Sequence, residues 1–143
     1  MGVPVGSSVS PSANLPRAVM PAARARLQLE RVFDPDELAR IRGGHVTGGS
    51  GEARKWSIEC VNDRVSFRRA RTGHCIYAIE LAPVENMAGA ARIAAAWANR
   101  DPVQAGRMDD AFDARLLMFL IDRLLLGWSV PYPAPAPTQG NVE

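Results

Sequence analysis

The chain has 143 residues, of which 47% are apolar, 22% charged and 6% aromatic, and its formal net charge is +2. That is the size and composition of one soluble domain and excludes a multidomain enzyme. The longest apolar run, at 116 to 126, is interrupted by Asp122 and Arg123 and falls short of the ~18 residues that a membrane span needs, so no membrane partner is expected.

The small net charge hides an uneven distribution. Residues 17 to 71 carry 12 basic and 7 acidic side chains, whereas 80 to 143 carry 5 and 8. Such asymmetry suits an anion-binding face but lacks the dense basic stripe of a nucleic-acid binder, and nucleic acid is not an expected partner. Of the 17 basic residues 16 are Arg and only Lys55 is Lys; codon bias explains this as well as bidentate phosphate recognition does. Cys60 and Cys75 are too few for a disulfide scaffold and do not recur at metal-ligand spacing. Together with the missing apolar core of a secretory signal, they suggest a cytoplasmic location.

Residues 1–22, rich in Gly, Ser, Pro and Ala without hydrophobic periodicity, read as a disordered leader, within which Met20-Pro21 offers an alternative translational start. A single domain is expected over 23–127. Its first segment, 26 to 32, leans to a strand. Asp34 then reads as an N-cap with Pro35 at the first helical position and Asp36 and Glu37 in the first turn, for a short helix running to Arg42 and stopped by Gly43-Gly44. The segment at 48 to 51 is a flexible Gly-Gly-Ser-Gly connection.

From Trp56 to Leu81 the apolar period becomes two. Trp56, Ile58 and Cys60 share one face of a strand, Asn62-Asp63 forms a hairpin turn, and Val65, Phe67 and Arg69 share a face of the next. After Thr72-Gly73 a third strand carries Cys75, Tyr77, Ile79 and Leu81, completing an antiparallel meander. Residues 87 to 98 are ambiguous: their Ala content favours a helix, but Ile93, Ala95 and Trp97 also alternate as in a strand. Asp109 and Asp110 open a helix carrying Phe112, Leu116, Leu117, Phe119, Leu120, Ile121, Leu124 and Leu125, with Gly127 as its stop. Its apolar surface is wider than one stripe, which leaves area for a protein partner or a second copy of the chain. The proline-rich residues 128–143 read as a disordered tail.

The segments Lys55-Trp56-x-Ile58, Phe67-x-Arg69-x-x-Thr72-Gly73-x-Cys75-Ile76-Tyr77 and Arg92-Ile93-x-x-Ala96-Trp97-x-Asn99-Arg100-Asp101-Pro102 resemble the pattern of a small, uncharacterised bacterial domain family. That pattern has a Trp-bearing strand, then Phe-His-Arg-Ser-Trp-Thr-Gly-x-Cys-Ile-Tyr, then a strand ending in Asn-Arg-Asp-Pro. The resemblance covers most of residues 34 to 127 and implies a fourth strand at about 91 to 98. It carries no settled activity beyond an association with ADP-ribose-processing modules. Arg68, Ala70, Arg71 and His74 stand where the pattern has His, Ser, Trp and an aromatic residue.

The candidate site centres on Arg69, which alternation places on the apolar face. There it must be paired or aimed at a ligand, because burying a lone cation is costly. Thr72 offers a hydroxyl, and Gly73 allows a backbone that presents amides to an anion, so Arg69, Thr72 and Gly73 suit a phosphate or carboxylate. The alternative is a structural ion pair from Arg69 to Asp101 or Glu59. Asn99, Arg100 and Asp101 either complete the same site or form an Asx-type turn before Pro102, and Trp56 and Tyr77 either stack on a base or sugar or belong to the core. No catalytic residue can be assigned: His74 and Cys75 are adjacent on a strand and point to opposite faces, and no phosphate-loop, dinucleotide, hydrolase-elbow or metalloprotease motif occurs. No metal site and no cofactor are expected.

The sequence therefore predicts an α+β domain, a mostly antiparallel four- or five-stranded sheet with a C-terminal helix packed on one face and the first helix at an edge. Its leading functional reading is a non-catalytic binding or adaptor domain associating with a protein partner. The second is recognition or processing of a nucleotide-like anion, of the ADP-ribose class, at the Arg69 corner.

Overall fold

A computed structural model describes residues 19–105 and 109–133. It is an α+β fold whose elements run in the order β1 (Arg24–Arg26), β2 (Val32–Phe33), α1 (Pro35–Gly43), a 3-10 turn (Gly51–Arg54), β3 (Trp56–Val61), β4 (Arg64–Arg69), β5 (Cys75–Pro83), β6 (Ala91–Asn99) and α2 (Asp110–Leu120), which continues as a π-helical turn (Ile121–Leu125). The sheet order is β1-β6-β5-β4-β3, and β2 also pairs with β6. Every strand pairing among the described residues is antiparallel.

Local chemistry explains the α1 boundaries. Asp34 accepts from the Glu37 amide at 2.8 Å and the Glu37 carboxylate accepts from the Asp34 amide at 3.0 Å, a reciprocal cap that satisfies two otherwise orphaned donors. The β3–β4 hairpin turns at Asn62, whose φ of 56° is in the left-handed region that Asn tolerates. β6 is a strand of nine residues, although its Ala-rich composition has helical propensity. Pairing with β5 on one side and with β1 and β2 on the other supplies ladder bonds that outweigh the few tenths of a kcal/mol per residue at stake in propensity. The single strand expected at 26 to 32 is two short ones instead. The chain leaves the ladder between them, and Arg31 turns to Asp122 at 2.6 Å.

One apolar core joins the inward face of the sheet (Trp56, Ile58, Val65, Phe67, Tyr77, Ile79, Leu81, Ile93, Ala96 and Ala98) to Leu38 and Ile41 of α1 and to Leu116, Leu117, Leu120 and Ile121 of the C-terminal helix. On the opposite face a smaller cluster holds Met20, Cys75 and Ala78 beside Trp97. Among the described residues, packing includes Met20, ahead of residue 23, and residues beyond Gly127. Val130 packs on the core, and the Tyr132 ring meets Phe119 edge-on at 5.2 Å. The wide apolar surface of the C-terminal helix is therefore partly covered by the chain's own 128 to 133 segment. The remainder of the expected leader, 1–18, and of the proline-rich tail, 134–143, lies outside the described residues. Among those described, no helix is long and apolar enough to cross a membrane.

Candidate functional site

Arg69 ends β4 directly opposite Trp56, on the inward side of the hairpin. Its guanidinium lies over the indole, 4.3 Å from the ring centroid, an attraction of electrostatic origin between a cation and the ring quadrupole. No carboxylate among the described residues pairs with it. The two partners expected for it are engaged elsewhere: Glu59 takes Arg68 at 3.1 Å, and Asp101 accepts the Val103 amide at 2.8 Å.

Behind Arg69 runs a buried chain of contacts. The Trp56 and Tyr77 rings stack at 5.8 Å with 19° between their planes. The Tyr77 hydroxyl donates to Asp113 Oδ1 at 2.5 Å. Arg100 Nη2 approaches Asp113 Oδ2 at 2.8 Å, close enough for ion pairing though poorly aligned for a hydrogen bond, and also pairs with Asp110. Burial raises the Tyr77 phenol far above its ordinary 10.0, and Asp113 adds to the rise through its hydrogen bond and charge, outweighing Arg69 and Arg100. Tyr77 is therefore a fixed neutral donor. Trp56 and Tyr77 are 0% and 2% exposed, so they are core residues with no face open to a base or a sugar.

Two segments bring cations to the front of Arg69. The Gly-Gly-Ser-Gly segment leads into the 3-10 turn, which places Arg54 and Lys55 immediately before β3. The Ala70 amide donates to the Lys55 carbonyl at 2.8 Å, tying that turn to the corner after β4. Arg54, Lys55, Arg69 and Arg71, with Thr72, Gln104 and Gly51, line a cleft of about 750 Å³. Glu52, at the same 3-10 turn, brings a carboxylate to this corner. It is shared between Lys55 Nζ at 3.2 Å and the Trp56 indole N–H at 2.9 Å.

The remaining expected residues take other parts. Gly73 has the positive φ its position requires, 79°, but it is buried and its amide donates to the Arg69 carbonyl at 2.8 Å, so it shapes the corner and offers no donor to an anion. Thr72 lines the cleft while its oxygen accepts from the His74 amide at 3.2 Å. Asn99 is 1% exposed and satisfied within the fold, donating to the Cys75 carbonyl at 2.8 Å and accepting from the Asp101 amide at 2.8 Å. Asp101 forms the turn into Val103 and Gln104. Arg100 is committed to Asp110 and Asp113. The corner from Asn99 to Asp101 therefore does not line the cleft itself; it reaches it through Gln104, whose Oε1 accepts from Asn99 Nδ2 at 2.8 Å.

Sequence reasoning missed Arg54, Lys55, Arg71, Gln104 and Asp113. A signal existed for the first two: a hairpin turning at Asn62-Asp63 sets Trp56 opposite Arg69 and so brings the preceding basic pair to the same corner. Gln104 and Asp113 left no such trace, because loop closure and helix docking place them. As to chemistry, burial pushes both thiols up, Cys75 against the pull of Arg68 and Cys60 against that of Arg42, so neither is an activated nucleophile. Among the described residues no cluster of His, Cys, Asp and Glu could hold a metal ion. No protein-family model, curated protein or solved structure matches the chain.

Proposed function

We propose that this protein is a binding domain that recognises an anionic ligand of nucleotide size in the cleft in front of Arg69. The observation that carries this reading is the concentration of four cations, Arg54, Lys55, Arg69 and Arg71, on one cleft of about 750 Å³, a volume in the range of small-molecule sites. Arg69 is held in place by an aromatic ring and is not neutralised by a carboxylate among the described residues, so its charge is available to a ligand. Like-charged side chains converging on one cavity repel one another, and a bound anion relieves that repulsion. In the family resemblance drawn from the sequence, Arg71 replaces a Trp, an exchange that adds a cation to this cleft. Binding is favoured over turnover because burial keeps both thiols and the Tyr77 phenol protonated. The adaptor reading has less apolar helix surface to use, since Val130 and Tyr132 cover part of it.

A thermal-shift panel of nucleotides and ADP-ribose tests the reading. A ligand at about 100 times its Kd stabilises a fold by about 2.7 kcal/mol, several degrees in a domain of this size. At least one anion of the panel is expected to produce that shift, and Arg69→Ala and Arg71→Ala are each expected to cut it by about half, the effect of a tenfold loss of affinity. Absence of any shift across the panel at millimolar concentration overturns the reading.

A further inference from the structure

The cleft's side chains differ from those of an ordinary nucleotide pocket in what they can offer. Arg54, Lys55, Arg69 and Arg71 carry donors and no acceptor. The Thr72 oxygen already accepts the His74 amide, which leaves its hydroxyl proton to donate. Gln104 is more telling. Its orientation is fixed by Asn99, and that of Asn99 is fixed in turn by backbone groups: the Asn99 amide nitrogen faces the Cys75 carbonyl and its oxygen faces the Asp101 N–H, each at 2.8 Å. The same Asn99 nitrogen donates to Gln104 Oε1 at 2.8 Å, which turns that oxygen toward Asn99 and leaves both N–H donors of the Gln104 amide for the cleft. All six polar side chains of the lining are thus donors. No aromatic ring stands among them, and Trp56, the nearest one, is sealed behind Arg69.

From this we infer that the cleft reads closely spaced phosphates themselves, a diphosphate or longer oligophosphate, and leaves any attached nucleoside unread. The inference rests on the anion-binding reading above and narrows it. An adenine amino group or a ribose hydroxyl seeks an acceptor or a stacking face, and the described lining offers no ring and only the second lone pair of the Thr72 and Gln104 oxygens, whereas phosphate oxygens are acceptors throughout and match Arg geometry in bidentate pairs. Even after Glu52 is set against Lys55, the four cations exceed the charge of one phosphate, which is at most about −2. The cleft of about 750 Å³ also leaves room for more than one such group. Free oligophosphate and the diphosphate of a nucleotide or of ADP-ribose share this chemistry, and the experiment separates them.

Isothermal titration of the full chain with pyrophosphate, tripolyphosphate, ADP, ADP-ribose, AMP and adenosine is the test. Pyrophosphate, ADP and ADP-ribose are expected to bind within about threefold of one another, AMP about tenfold more weakly or worse, and adenosine not measurably, a tenfold step being 1.4 kcal/mol. Gln104→Glu keeps the acceptor for Asn99 and replaces the free donor by negative charge; it is expected to weaken pyrophosphate at least tenfold while the melting temperature without ligand does not fall. If ADP or ADP-ribose binds and pyrophosphate is more than tenfold weaker, the nucleoside is being read and the inference falls while anion binding stands. If a single-stranded RNA oligonucleotide binds more tightly than every small ligand, with an affinity falling steeply with salt, the ligand is a nucleic-acid backbone and the inference falls. If no anion binds, this inference and the function on which it rests fall together.

Discussion

Arg69 and Arg100 occupy comparable places, each at or just past the end of a strand and each touching the buried chain from Trp56 through Tyr77 to Asp113, yet their surroundings are opposite. Arg100 is closed in by two carboxylates, Asp110 and Asp113, which hold its proton more firmly than usual although burial opposes them. Arg69 has an indole face behind it and three further cations around the cleft in front. The difference teaches that an arginine's availability is set by how many acids the fold brings to it. Its depth alone does not decide. Arg100 uses its charge to fasten α2 to the sheet, and Arg69 has no carboxylate partner among the described residues.

The comparison can be broken most severely at the ring supporting Arg69. Trp56→Ala empties a fully buried site and removes the cation's support; a loss of about 3–5 kcal/mol in urea denaturation is expected, and retention of wild-type stability would show that the indole is not the core element described. Asp113→Ala attacks the other arginine. It strips one carboxylate from Arg100 and leaves the buried Tyr77 hydroxyl without its acceptor, at a cost of about 2–3 kcal/mol in the same measurement. Arg69→Ala should separate function from stability: the fold is expected to lose about 1–2 kcal/mol at most, the worth of a half-buried cation–π contact, while anion affinity falls about tenfold by titration calorimetry, or about 1.4 kcal/mol. A loss of stability as large as that of Asp113→Ala would instead make Arg69 structural.

The smallest effect is a pH dependence. The folded phenol of Tyr77 lies above the unfolded value of 10.0, so in the folded state it keeps its proton where the unfolded chain has lost it. Its contribution is fully present below pH 10 and declines above it, as the unfolded phenol ionises. Melting temperatures followed from pH 8 to 11 should therefore fall more steeply at the alkaline end for the wild type than for Tyr77→Phe, and parallel curves would contradict the burial and hydrogen bonding of that hydroxyl. At neutral pH the same variant is expected to lose about 1 kcal/mol, one ordinary hydrogen bond.

Much of the fold was legible in the sequence because its signals are local. The cap at Asp34, the turn at Asn62-Asp63, the period of two from Trp56 to Leu81 and the Asp109 entry into α2 each depend on residues a few positions apart. The Ala-rich β6 was harder, since its own propensity points to a helix and only the strands on both sides override it. Of the cleft lining, the placing of Arg69 and Thr72 at one corner was legible from alternation and from the turn after the strand. The assignments for Gly73, Asn99 and Asp101 failed differently: the residue types fitted a ligand, but the backbone of the fold had already used their hydrogen-bonding groups.

By itself, then, the sequence determined the α+β class, the meander, the helix caps and the presence of a cation on an apolar strand face, because period, capping and turn chemistry are written in neighbouring residues. Only the tertiary structure decided what that cation meets. Whether Arg69 is neutralised depends on Trp56 across the hairpin, on Arg54 and Lys55 before it, and on Asp113 being spent on Tyr77 and Arg100. Those contacts join residues tens of positions apart, and electrostatic environment, unlike secondary structure, is the sum of everything the fold brings within a few ångströms.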